Sequence, residues 1–152
     1  MPTVCLYLTL AAYFGATGLW LGFFMAQREP LYRLGRWFLA GGLACHSIAL
    51  AQRTWEMGTL PVASLGEALA AMAWALVAVF LVLDWRYPIK VLCALAAPLA
   101  ALMVSAALIL PQGHMASPLL KGFWLTVHIA LSFLGIAALT LAFLAGIFYL
   151  IQ

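Results

Sequence analysis

Charge is what this sequence has least of. Its 152 residues include only 7 Lys+Arg and 4 Asp+Glu, so charged groups make up 7% of the chain, against roughly a quarter in ordinary soluble domains. A water-soluble globule is thereby excluded. Nucleic acid is excluded as a partner on different grounds, because the cations stand at the ends of apolar runs and form no basic patch. Cysteine is scarce as well: Cys5, Cys45 and Cys93 fall in or beside separate apolar runs. Without CxxC or CxxCH spacing they support no structural disulfide, zinc site or covalent haem attachment to this chain. Also missing are a serine with a general base, usefully spaced paired carboxylates, a glycine-rich phosphate loop and HExxH. The chain alone therefore carries no catalytic constellation.

What remains is apolar. Hydrophobic residues make up 68% of the sequence, and several uncharged or nearly uncharged runs approach the ~20 residues that cross ~30 Å of hydrocarbon as helix. Backbone groups in lipid must be satisfied within the span, which favours helices. The expected fold is an all-α, polytopic membrane helix bundle with about five transmembrane helices. Spans are predicted near 3–26, 37–52, 64–83, 91–110 and 122–150, and residues 1–152 form a single transmembrane domain. The first run has no positive n-region before Tyr13 and continues to Ala26, so it reads as a retained span rather than a signal peptide.

Between the spans, Gln27 to Arg36 reads as a short basic link, Thr54 to Pro61 as a loop, Asp84 to Lys90 as a tight aromatic and basic turn, and Pro111 to Pro118 as a second loop. Ser64 is placed to cap the third span, with Glu67 in its first turn, where a carboxylate suits the helix dipole. A salt bridge from Glu67 to Arg53 is the alternative. Pro98 is expected to kink the fourth span. Arg28, Arg33, Arg36, Arg86 and Lys90 lie on one side of the membrane, against Arg53 and Lys121 on the other. The positive-inside rule puts the larger group in the cytoplasm and the N-terminus outside.

Two histidines fall within spans. His128 shares a helical face with Trp124, Ser132, Gly135, Leu139, Ala142 and Gly146, a largely small stripe that suits either a neighbouring helix or a flat ligand held by the imidazole. His46 shares a face with Gly42, Ala49, Leu50 and Arg53. For both, an interhelical hydrogen bond and a functional role stay open. His114 reads as a solvated loop histidine. Trp20, Trp37, Trp55, Trp85 and Trp124 mark interfaces.

Four ordered segments resemble the cytochrome c assembly family, which includes CcsA and ResC components, HemX-like proteins and YpjD proteins. They are Cys45-His46-Ser47-Ile48-Ala49-Leu50 followed by Arg53 and Trp55, and Ser64-Leu65-Gly66-Glu67-Ala68-Leu69 with Trp74. The third is Arg86-Tyr87-Pro88-Ile89-Lys90-Val91-Leu92 with Pro98-Leu99-Ala100, and the fourth is Trp124-Leu125-Thr126-Val127-His128-Ile129.

The resemblance implies haem handling in cytochrome c maturation at the external face of a bacterial cytoplasmic (inner) membrane. The implied partners are haem, apocytochrome c, other cytochrome c assembly membrane subunits and the lipid bilayer. It assigns His128 as an external axial ligand of haem b iron, with His46 and Trp124 as further cofactor-binding candidates. Any enzymatic role would be as part of a haem-attachment (synthetase) system. The family's Trp-Trp-Asp segment and later helices are absent from these residues, so the match is to a front half, and Ser64 and Gly66 replace the family's asparagine and tyrosine. Two other readings stand beside this one: a non-haem, HemX-like regulatory subunit, and a b-type electron carrier using His46 and His128 as a ligand pair.

Overall fold

The chain's computed structural model describes residues 2–87, 90–111 and 122–151. Pro88, Ile89, His114, Lys121 and most of the Pro111 to Pro118 loop lie outside the described residues, as does Gln152. Five helices account for nearly all the rest: α1 (Pro2–Ala26), α2 (Glu29–Met57), α3 (Leu65–Arg86), α4 (Lys90–Ile109) and α5 (Phe123–Ile151). All five are long and apolar enough to cross a membrane, and no strand occurs among the described residues. The protein is a polytopic helical membrane bundle.

Two helices extend beyond the spans expected from hydropathy. α2 begins at Glu29, with Pro30 in its first turn, where a missing N–H is harmless. The basic link is therefore helical except at Gln27 and Arg28. α3 runs on through Asp84 to Arg86, so Asp84 lies in a helix rather than in the following turn. Pro98 sits inside α4, which continues through it.

α1 and α2 pack antiparallel through a repeated notch. Tyr13 and Trp20 are wholly buried and stand one heptad apart. Gly42 and Gly35, also a heptad apart, lie opposite them. A Cβ built on Gly35 would be 2.6 Å from Trp20 Nε1, and one on Gly42 would be 2.8 Å from the Tyr13 ring. The glycines thus admit the aromatic rings by leaving out side chains, the usual way helices approach closely in lipid. Trp20 also donates to the backbone oxygen of Tyr32 at 3.1 Å.

α4 supplies an alanine face, with Ala96, Ala97, Ala100 and Ala101 all buried, and shares the core with Leu76, Val77 and Phe80 of α3. α5 packs on α3 and α4, with Ala137 and Leu141 buried and Phe133 and Leu144 partly so.

Polar clamps close the two ends of the bundle. At one end the Ser64 hydroxyl accepts from Glu67 N at 3.2 Å, and Glu67 Oε2 accepts from Ser64 N at 3.3 Å, completing a capping box. Arg53 reaches the other oxygen of Glu67, Nε at 3.1 Å and a terminal nitrogen at 2.9 Å. The cap and the salt bridge expected as alternatives for Glu67 are both present. At the other end Tyr32 donates to Asp84, Arg36 Nε lies 2.8 Å from Asp84 Oδ2, and Lys90 pairs with Glu29.

Candidate functional site

The beginning of α5 presents its polar group outward. Trp124 is 81% exposed, and His128, one turn further on, is exposed too. No hydrogen bond to the His128 ring occurs among the described residues. Ser132, below it, turns back to donate to the His128 backbone oxygen at 2.7 Å. Gly135 and Gly146 continue the same face, and a Cβ at either would meet nothing within 4 Å. The stripe of small residues is therefore open along its length, while the buried Ala137 and Leu141 lie on the opposite side of the helix. His128 points away from the bundle that holds α5.

The packed side of α5 borders an apolar groove of about 340 Å³, lined by Leu60, Pro61, Trp74, Ile129 and Phe133 among others. Its polar atoms are already engaged. Trp74 Nε1 donates to Ser47 Oγ at 2.8 Å, and Ser47 Oγ donates to Leu43 O at 2.8 Å.

His46 lies elsewhere. Its side chain is wholly buried between α1 and α2, where Nδ1 shares a 3.2 Å hydrogen bond with Tyr13 Oη. Nε2 is buried and has no hydrogen-bond partner among the described residues. Outward along the same α2 face, Ala49, Leu50 and Arg53 line a cavity of about 160 Å³ together with Thr3, Leu6 and Glu67. The structure thus keeps His46 and His128 apart: one is sealed in the α1–α2 seam, the other is open on the far side of α5. No group of three His, Cys, Asp or Glu side chains that could hold a metal ion occurs among the described residues.

The Tyr32–Asp84–Arg36 cluster, with Tyr32 and Asp84 buried and Arg36 partly exposed, was not legible in the sequence. Its one signal is a carboxylate closing an apolar run, with a tyrosine and an arginine one helical turn apart on another helix.

The fold and its isolated imidazoles define a multi-pass helical membrane protein without a catalytic triad or a metal cluster among the described residues. Comparison with known proteins then places it. The family model described as cytochrome C assembly protein matches residues 62–152, which is most of the chain, and the protein belongs to that family. The cytochrome c biogenesis protein CcsA of Guillardia theta is 30% identical over 139 residues, covering 87% of this chain and 46% of that protein. CcsA of Microcystis aeruginosa is 28% identical over 151 residues, covering 96% and 44%. CcsA of Pyropia yezoensis is 34% identical over 110 residues, covering 69% and 34%. The chain thus spans less than half the length of these curated relatives. No solved structure matches.

Proposed function

We propose that this chain takes part in cytochrome c biogenesis by holding haem, with His128 as an axial ligand of the iron. One observation carries the reading: an imidazole inside the family-matched region stands on an open helix face with no hydrogen-bond partner on its ring among the described residues. A neutral imidazole is a common axial ligand, and haem supplies its own equatorial nitrogens, so one histidine can provide half of the protein's share. The donor set fits that role. Trp124 lies one turn away on the same side, and the bare backbone at Gly135 leaves room beside the helix.

Haem b, when bound, supplies the redox-active iron and the vinyl groups that are joined to a cytochrome. This chain's residues hold and orient. With haem bound, His128 would ligate the iron and Trp124 would offer it an aromatic face. Taken with the positive-inside orientation, the N-terminus and the start of α5 are external, where an apocytochrome would be met. The location is then a bacterial cytoplasmic membrane, and other assembly subunits are partners. His46 is assigned to packing, since its side chain is wholly buried in the α1–α2 seam beside Tyr13.

The test is optical. The chain purified from haem-replete membranes is expected to show a Soret band that is lost in His128→Ala and kept in His46→Ala. Equal Soret absorbance per protein in wild type and His128→Ala would sink the ligand assignment. A pigment-free chain that co-purifies with another membrane protein would favour the regulatory-subunit reading instead.

A further inference from the structure

Between the end of α2 and the cap of α3 the chain turns inward. Gly58 closes α2 in the left-handed region at φ 66°, where glycine is at ease, and a Cβ there would meet nothing within 4 Å. Thr59 and Pro61 are then buried, Pro61 fully so.

Two hollows meet at this segment. One is the cavity of about 160 Å³ below Arg53 and Glu67, and the other is the apolar groove of about 340 Å³ beside α5. Among the described residues the two share Leu50 and Pro61 and no others. These two side chains are therefore the wall between them. Ala70 and Ala71, neighbours on α3, line one hollow each.

Packing, rather than hydrogen bonding, keeps the proline in that wall. The far end of the loop is anchored, since Glu67 Oε2 accepts from Ala63 N at 3.1 Å and from Ser64 N at 3.3 Å. Before that anchor, the one hydrogen bond of Thr59 to Val62 among the described residues is local, from Val62 N to Leu60 O at 2.9 Å. Pro61 has no N–H to offer. The Thr59 hydroxyl is buried with no partner among the described residues, a cost that water would remove if the segment swung out.

We propose that Thr59 to Val62 is a movable plug. Swinging out about Gly58, it withdraws Pro61 and joins the groove beside α5 to the cavity below Arg53 and Glu67. What passes is an apolar molecule dissolved in the bilayer, because the groove walls are apolar and the polar atoms of Trp74 and Ser47 are already bonded. The route is independent of His128, which stands on the other side of α5.

Thiol labelling of the full chain in liposomes tests the plug. Cys5, Cys45 and Cys93 are replaced by alanine, and Ala70→Cys places one thiol in the inner cavity at a position 5% exposed. N-ethylmaleimide, which dissolves in lipid, is the probe. Thr59→Val removes the unpaired hydroxyl and should slow labelling about fivefold or more. Pro61→Gly removes the ring from the wall and should speed it about tenfold. Ala100→Cys, wholly buried on α4 and lining neither hollow, should label at a rate that neither loop change alters. Labelling at Ala70→Cys that ignores both loop variants would overturn the proposal. So would parallel changes at the two cysteines, since those report opening of the whole bundle.

Discussion

The indole of Trp20 occupies the place a side chain would take on Gly35, its Nε1 lying 2.6 Å from where a Cβ would stand. Trp20 is wholly buried and bonded to Tyr32 O, so it has nowhere to retreat. Gly35→Ala should therefore destabilise the bundle by about 1–3 kcal/mol, the usual range for overpacking, and Gly42→Ala should act similarly through Tyr13. Gly18→Ala, where no atom lies within 4 Å, is expected to be neutral or slightly stabilising. Thermal denaturation in one detergent would rank the three, and equal midpoints for Gly35→Ala and Gly18→Ala would refute the notch.

Asp84 is 3% exposed and binds two partners on α2. Asp84→Asn should lower stability by about 1.5–3 kcal/mol, the range for hydrogen bonds to charged groups. Tyr32→Phe removes one donor to that carboxylate and should cost about 1.5–3 kcal/mol. In the double variant the two losses should fall short of their sum, because both changes remove the same bond. Strict additivity would mean that the pair is not coupled.

The capping box of α3 permits a graded test. Ser64→Ala should cost about 1 kcal/mol, as loss of an N-cap oxygen does. Glu67→Ala removes the reciprocal cap and the partner of Arg53 together, and should cost more. Hydrogen exchange is expected to rise in the first turn of α3 in both variants. A Glu67→Ala effect no larger than that of Ser64→Ala would leave the Arg53 contact without energetic weight.

Gln27 adopts φ 51° at the turn between α1 and α2, and its N–H donates to Phe23 O at 2.7 Å. A side chain in the left-handed region is strained by about 1–2 kcal/mol, whereas glycine enters it freely. Gln27→Gly should raise the melting midpoint, though by less than the full strain because glycine also loosens the unfolded chain. A lowered midpoint would show that the Gln27 side-chain bond to Phe24 O outweighs the backbone.

His46 and Tyr13 are bonded to each other in the α1–α2 seam, and removing one should hurt more than removing both. Tyr13→Phe leaves Nδ1 without its partner, and His46→Leu leaves a buried hydroxyl unbonded, each at about 1–3 kcal/mol. The double variant should recover part of that loss. If the double variant is less stable than either single one, His46 makes contacts beyond Tyr13 that packing does not account for.

The five spans were legible because long apolar runs leave few alternatives in lipid, and the Ser64-x-x-Glu67 spacing announced its cap. The ends of the helices were harder to read. Arg33 and Arg36 make the start of α2 look like a link, yet the helix tolerates Arg36 because Asp84 receives it, and nothing local reveals a partner 52 residues from Tyr32. Asp84 was misread as a turn residue for the same reason. The histidines show the other limit. Periodicity put His128 on a stripe of small residues and His46 on another, but which stripe meets a neighbour depends on how whole helices dock. One imidazole is consequently enclosed and the other open, although their sequence surroundings look alike.

The two clamps also set a length. Arg36 and Arg53 stand on one helix, about 26 Å apart at 1.5 Å per residue, and each is tied to a carboxylate on α3. That separation is close to the hydrocarbon thickness of a thin biological membrane. In a thicker bilayer one ion pair would be drawn below the headgroups, and tilt alone could not relieve both, since α2 and α3 are pinned together at each end. The bundle therefore behaves as a ruler, and its stability should peak in bilayers of matching thickness and fall as the acyl chains lengthen.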